Sequence, residues 1–310
     1  MPKLSNERKI TNEAHDPIGA HQVIIQAQTV KQIAMVEQWQ LAGVKMARRS
    51  RGILITGGGT FLGDNIASAL LAEGAKVSLL VRPGAEDKLG PLAQHTRWST
   101  ADVWSPASLR GKARLHSAVV HTVGSLTADP AQGLSFHRLN FESARNVANM
   151  CVSDGVEHII LISGVGAPWI NRAYIRSKRE AEDYIDRMGL RATIVRAPLL
   201  YVPGQSRSLF YRTLSLLGAL PPLSWLYLGR IAPIPVDTLA RGVAKLATSP
   251  AEDRLIYYAR DLRKRIRRGM PRQASDIMET YSPQGTNSIS PYEALDEDLP
   301  FGWSPSDEPS

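Results

Sequence analysis

The 310-residue chain has a single cysteine, Cys151, which excludes a disulfide framework and fits a reducing compartment. Its seven histidines (15, 21, 95, 116, 121, 137 and 158) show no metal-ligand spacing, so no metal centre is expected. No run reaches the ~18 apolar residues of a membrane helix. The nearest, Leu209–Ile234, is broken by Arg212, Pro221, Pro222, Arg230 and Pro233. Lys and Arg are missing altogether from residues 274–310, which carry eight acids, so the body before them is more basic than the net charge of +8. That asymmetry suggests a polyanionic surface or a charged partner and says nothing about fold. The first twenty residues hold Glu7, Glu13 and Asp16 and match neither a secretory signal nor an acid-poor mitochondrial presequence.

What is present is ordinary for a globular protein: 43% hydrophobic and 21% charged residues, in a chain long enough for one large domain or two modest ones. Residues 1–17 are polar and unpatterned. Residues 19–46 read as an amphipathic helix, packed on the protein's own surface or docked on a larger assembly, and residues 47–51 as a basic linker. Then short apolar runs alternate with helical patterns. Strands are predicted at Ile53–Thr56, Lys76–Val81, Thr96–Ser99, Ala118–Thr122, His158–Ile162 and Ala192–Arg196, and helices at Leu62–Glu73, Arg138–Cys151 and Ala173–Met188. This order predicts an α/β fold, a doubly wound parallel sheet of Rossmann type. The expected divisions are an N-terminal extension (1–50), a dinucleotide-binding domain (51–200), a small C-terminal cap (201–258) that ends in the helix Val236–Ala247, and a basic helix with an acidic tail (259–310). Leu209–Leu228 reads as cap core, or as a surface facing lipid or a long apolar substrate. Residues 259–272 hold seven Lys/Arg and one acid but no interleaved aromatics, which disfavours nucleic acid.

The chemistry starts at Thr56-Gly57-Gly58-Gly59-Thr60-Phe61-Leu62-Gly63, a glycine-rich turn between a buried strand and a helix. Backbone N–H groups and the helix dipole hold a dinucleotide pyrophosphate at such a turn. Gly57 and Gly63 are in register, but Thr60 stands at the middle glycine position, with Gly59 one residue early. Arg82 follows the second strand and no acid occupies Ser78–Pro83, which favours NADP(H) over NAD(H). Asp102-Val103, after the third strand, either flanks an adenine or supplies an Asp that caps the next helix. Ser163 ends the fifth strand, and Tyr174 and Lys178 share a helix face at i, i+4. In that pattern the lysine lowers the tyrosine pKa and the serine holds the substrate oxygen.

On these residues the chain resembles the extended and atypical branch of the short-chain dehydrogenase/reductase superfamily over residues 51–247. The resemblance also rests on Ala101-Asp102-Val103 and on Leu139-Asn140 with Gly155-Val156-Glu157-His158-Ile159-Ile160. Val119-Val120-His121-Thr122-Val123-Gly124, Tyr174–Glu182 and Ile194-Val195-Arg196-Ala197-Pro198 resemble a mitochondrial subgroup. It comprises the NADPH-binding accessory subunit of respiratory complex I and related ubiquinone-biosynthesis accessory proteins. The resemblance implies that Gly57, Gly58, Gly63 and Arg82 meet the cofactor phosphates, Asp102 and Val103 the adenine, and Ser163, Tyr174 and Lys178 the nicotinamide end. Gly59, Thr60, Phe61, Leu62, Thr122, Gly124, Ala197 and Pro198 complete the expected cofactor site. Two departures are Thr60, whose Cβ is expected to shift the turn, and Ala197-Pro198-Leu199 where the family has Pro-Gly.

The implied role is an accessory or assembly subunit of a mitochondrial respiratory complex, on the matrix side of the inner membrane, with NADP(H) mainly structural. Its partners would be other subunits, reached through the N-terminal helix and the C-terminal tail, with membrane-surface contact. The alternative is an active NADP(H)-dependent oxidoreductase or epimerase on an apolar or quinone-like substrate.

Overall fold

Runs that are apolar at nearly every position form strands covered on both faces, the pattern of a parallel sheet between helix layers. The structure is a computed structural model that describes residues 52–130, 133–202, 231–249 and 255–268. All of the described residues lie in one unit of the chain, Arg49–Ser310. The strands are β1 (Gly52–Gly58), β2 (Val77–Val81), β3 (Arg97–Thr100), β4 (His116–His121), β5 (His158–Gly164), β6 (Arg191–Ala197), β7 (Leu200–Tyr201), β8 (Ile234–Pro235) and β9 (Ile256–Tyr258). Seven of them make one parallel sheet in the order β3-β2-β1-β4-β5-β6-β9, and β7 and β8 pair separately. The doubly wound architecture expected from the sequence is present.

The helices are α1 (Phe61–Ala72), α2 (Leu92–His95), α3 (Pro106–Leu109), α4 (Ser143–Asp154), α5 (Arg172–Arg187), α6 (Val236–Thr248) and α7 (Ala259–Arg268). Alternate residues of β1 divide the core. Ile53 and Ile55 join Ile66 and Leu70 of α1 and Val243 of α6, whereas Leu54 joins Val147 of α4 and Ile185 of α5 on the other face. Each long helix has a local reason to start or stop. Asn171 caps α5 by accepting the Ala173 N–H at 2.8 Å, and α4 ends on Gly155 in the left-handed region at φ 71°.

The sequence placed residues 236–258 in a cap. Here α6 lies on the main sheet, tied to the end of α1 by Lys245 Nζ and Glu73 Oε1 at 2.9 Å, and Ile256–Tyr258 is a seventh strand beside β6. Three residues are too few to show a period of two, so the strand left no signal. After it, α7 packs Leu262 so closely on α6 that a Cβ on Gly242 would sit 2.8 Å from the Leu262 Cβ. The predicted helix at 19–46, the linker at 47–51, the Leu-rich segment 209–228 and the acidic tail lie outside the described residues. Among the described residues no helix is long and apolar enough to cross a membrane.

Candidate functional site

The strand order reverses between β1 and β4, and in open α/β sheets ligands bind at the carboxyl ends of the strands at that point. The register of β1 against β2 slips between Thr56 and Gly58, and Gly57, at φ 95°, turns the chain out of the sheet. A Cβ on Gly57 would lie 2.5 Å from Thr122 Oγ1, and one on Gly63 would lie only 2.0 Å from the Gly57 carbonyl oxygen. The first glycine lets the turn close on β4, and the last lets α1 start against β1. Gly58 closes β1, where a Cβ would meet the Leu79 Cβ at 2.9 Å.

Thr60 corrects an expectation. Its side chain faces into the turn, buried, and caps α1: Oγ1 donates to the Gly57 carbonyl at 2.7 Å and accepts the Gly63 N–H at 3.2 Å. The Cβ therefore follows the turn instead of displacing it. Phe61 is 46% exposed beside the turn and Leu62 is core. Gly59 donates its N–H to Asp64 Oδ1 at 2.9 Å, a contact that the sequence reading did not foresee. Burial pushes the Asp64 carboxyl up to about 7, against the pull of that N–H.

Arg82 follows β2 half-buried, and the Ala85 N–H donates to its carbonyl at 3.0 Å, which curls residues 82–88 over Gly59. Asp102 caps a turn, its Oδ1 accepting the Trp104 N–H at 2.9 Å and its own N–H donating to Ser108 Oγ at 2.9 Å. The Val103 side chain lies fully buried in the core under α4. It does not flank an adenine, because the chain must refill the core as it enters α3. Ala197 closes β6, its carbonyl accepting the Val165 N–H at 3.0 Å, and Pro198 is buried behind it.

At the other end of the crevice, Tyr174, Lys178 and Glu182 recur at i, i+4 and i+8 and form one buried stripe of α5. A Cβ on Gly164 would lie 2.6 Å from the Tyr174 hydroxyl, so that hydroxyl rests on the end of β5. The Lys178 ammonium donates to the Ile162 carbonyl at 3.3 Å and lies against Gly124, three residues past the end of β4. Ser163 departs from its expected place. Its Oγ donates to Glu182 Oε1 at 2.5 Å and accepts from Arg179 at 3.2 Å, inside a buried network in which Arg196 also binds Glu182 Oε2 at 2.5 Å. The hydroxyl is committed to the protein and does not orient a substrate. Nor is the Tyr174 phenol lowered by Lys178: burial raises it well above the usual range, Arg179 pulling down and Glu182 pushing up. Burial brings Lys178 down to about 8 despite Glu182. Cys151, on the buried face of α4, is pushed up to about 12 by burial first and Asp154 second, and keeps its proton.

Two residues of this site carried no role in the sequence reading. Asn140 lies in a single π-helical turn, Arg138–Glu142, leading into α4. Its side chain accepts the Ser125 N–H at 3.0 Å and donates to the Ser125 carbonyl at 2.9 Å, fixing the loop after Gly124. His121 is fully buried, with Nδ1 2.9 Å from Thr56 Oγ1 and no partner for Nε2. A polar residue ending an otherwise apolar strand was the visible signal for it. Burial first, then Lys178, lowers its ring to about 3. The unfolded chain takes up a proton at this ring below about 6.5 and the folded chain does not. Stability from this group is therefore full above that pH and is lost as pH falls, by about 1.4 kcal/mol per unit. Urea titrations between pH 6.5 and 5 are expected to show His121→Gln with a shallower acid loss than the wild type.

A groove of about 690 Å³ lies outside the cofactor crevice, along α5 between Leu126, Phe136, His137, Ala173, Arg176 and Glu180. Phe136, in its wall, packs its ring edge-on against Tyr174 at 6.3 Å.

Residues 57–212 match the NAD(P)H-binding family. Over 211 residues the chain is 30% identical to a ceramide reductase of Caulobacter vibrioides, covering 66% of this chain and 64% of that protein, so it spans less than two thirds of the relative. In solved structures, a Burkholderia cenocepacia protein described as a candidate epimerase shares the fold at TM-score 0.50 and 20% identity, over 71% of this chain and 81% of that one. The Bordetella bronchiseptica enzyme WbmG, solved with NAD and UDP, gives TM-score 0.49 and 16% identity over 70% and 77% of the two chains. The family match begins at the first glycine of the turn and runs through β6, taking in the whole crevice. This chain belongs to the NAD(P)H-binding family, and its doubly wound parallel sheet has the Rossmann architecture.

Proposed function

We propose that the protein is an NADP(H)-dependent reductase of a carbonyl on a long-chain, ceramide-like lipid. The observation that carries this reading is the placement of the Tyr174 hydroxyl on Gly164 and the Lys178 ammonium on Gly124, at the carboxyl edge of the sheet that also bears the glycine turn. The turn fits a dinucleotide because side chains at Gly57 and Gly63 would fill the space by which it closes. Gly57–Gly63, Arg82 and Gly124 would hold the cofactor, and the absence of an acid in Ser78–Pro83 supports the phosphorylated form. The lipid class is supported by the apolar part of the groove, Leu126, Ala128, Pro130 and Phe136, and by the name of the Caulobacter relative.

When bound, the cofactor supplies the hydride to the carbonyl carbon. Tyr174, kept protonated by burial, gives its proton to the carbonyl oxygen, so that C=O becomes CH–OH. The tyrosinate left behind is reprotonated from solvent, with Arg179 the cation that favours its charge. Ser163 takes no part, and the Tyr174 hydroxyl is the donor that this mechanism assigns to the substrate oxygen.

The test is to quantify nucleotide in the purified protein and follow NADPH oxidation with long-chain keto-lipids. Tyr174→Phe is expected to lower kcat by about 10²–10⁴-fold with nucleotide content unchanged. Bound NADPH that no such lipid oxidises, and indifference to Tyr174→Phe, would favour the accessory-subunit reading with a structural cofactor. That reading, its partner subunits and a mitochondrial location rest on the sequence resemblance. The N-terminal helix and the C-terminal tail through which it would act lie outside the described residues.

A further inference from the structure

Asp64 stands where the fold invites an anion. It lies in the first turn of α1, where the helix dipole and free N–H groups favour negative charge. Its Oδ1 takes the Gly59 N–H at 2.9 Å, while the Thr60 hydroxyl takes that of Gly63 at 3.2 Å. Two donors of the phosphate turn are thus spent on the protein's own side chains. The first is also fixed in direction: Gly59 sits at φ +77°, and a Cβ there would lie 3.2 Å from the Lys88 Cβ and 3.3 Å from the Ala85 carbonyl.

We propose that Asp64 is an internal anion competing with the cofactor phosphates, so that dinucleotide binding is coupled to uptake of a proton at this carboxyl. The inference rests on the reading of the turn as a dinucleotide cradle. Charged groups around the turn are few. Asp64 is the only charged residue of α1; Arg82 follows β2; Glu86, Asp87 and Lys88 lie on the 3-10 turn over Gly59; His121 and Lys178 lie on the β4 side. Burial and the Gly59 N–H dominate the carboxyl and place it at about 7, so it changes charge near neutrality before any phosphate approaches. A phosphate brought beside it raises that value further, because two like charges cannot both stay ionised at close range. Protonation leaves a neutral acid that still accepts from Gly59.

Calorimetric titration of the full chain with NAD+ from pH 6 to 9 tests this, since its pyrophosphate does not titrate in that range, unlike the 2′-phosphate of NADP+, a monoester with pKa near about 6. NADP+ is titrated in parallel. Above pH ~7 the affinity is expected to fall by about tenfold per unit, with close to one proton taken up per nucleotide in buffers of different ionisation enthalpy. Asp64→Asn keeps the acceptor and removes the charge; it is expected to abolish both effects and to bind about tenfold or more tightly at pH 8.5. The wild-type proton count decides the matter alone should that variant fold poorly, and Asp64→Ser gives a second neutral turn. Binding that is independent of pH and releases or takes up no proton overturns the inference and leaves the cofactor site intact. Binding by Asp64→Asn alone supports it. No nucleotide bound by either protein at any pH overturns the cofactor reading itself, and the inference with it.

Discussion

Glu182→Gln should destabilise the protein by about 3 kcal/mol, seen as a lower urea midpoint with an unchanged slope. The carboxylate is 4% exposed and serves two guanidiniums: Arg179, from its own helix, and Arg196, from β6. Removing a partner from a buried pair costs about 3–5 kcal/mol, because the remaining charge keeps its desolvation cost. The lower end applies, since the Arg179 and Arg196 side chains retain 29% and 19% exposure and recover some hydration. Arg196 is held more tightly to its charge than a free guanidinium, through Glu182 first and Tyr258 as well. The same substitution releases Ser163 and loosens α5 two turns beyond Tyr174, so any reductase activity should fall along with stability. Arg179→Lys, on the more open side, should cost less than about 1 kcal/mol.

Gly63→Ala should cost more than about 3 kcal/mol and empty the site of nucleotide, because the added methyl collides with backbone. The Gly57 carbonyl oxygen that it would strike is pinned by the Thr60 hydroxyl at 2.7 Å. Relief requires moving α1 off the central strand, which also opens the packing of Ile66 and Leu70. Gly166→Ala is the matched control: its nearest obstacle is Ile175 Cγ2 at 4.0 Å and its φ is ordinary. A change there within about 0.5 kcal/mol, against the loss at Gly63, separates collision from general intolerance of a larger residue. Circular dichroism during urea unfolding and nucleotide release on denaturation measure both effects.

Both sites bear on what could be read from the chain. Gly63 was legible because strand, turn and helix follow one another within a dozen residues, and local order fixes the geometry. Tyr174 and Lys178 were legible for the same reason, since a spacing of four puts two side chains on one helical stripe. Ser163 was not. Which way its hydroxyl turns depends on Glu182, nineteen residues on, and on Arg196 across the sheet, neither of which has a spacing rule. Thr60 shows the reverse case. Counted against a glycine pattern it looked like a defect, yet threonine is a strong helix-capping residue, and capping preference would have placed its side chain inward. Val103 was assigned by its position after β3, where burial in the core under α4 has the stronger claim on an apolar side chain.

The helix α6 has a consequence in time. It covers one flank of α1, and the contact between Lys245 and Glu73 spans 172 positions of sequence. During synthesis at about 5–20 residues per second, α1 therefore emerges roughly 10–30 s before its cover exists. Strand β6 likewise waits for Ile256–Tyr258 before its outer edge is paired. For that interval the nascent chain presents an unfinished sheet edge and an uncovered helix, the surfaces that ribosome-associated chaperones protect. Slowing translation through residues 236–258 should therefore raise the aggregated fraction more than slowing it anywhere within residues 158–197, where the newly made strand pairs at once with its predecessor.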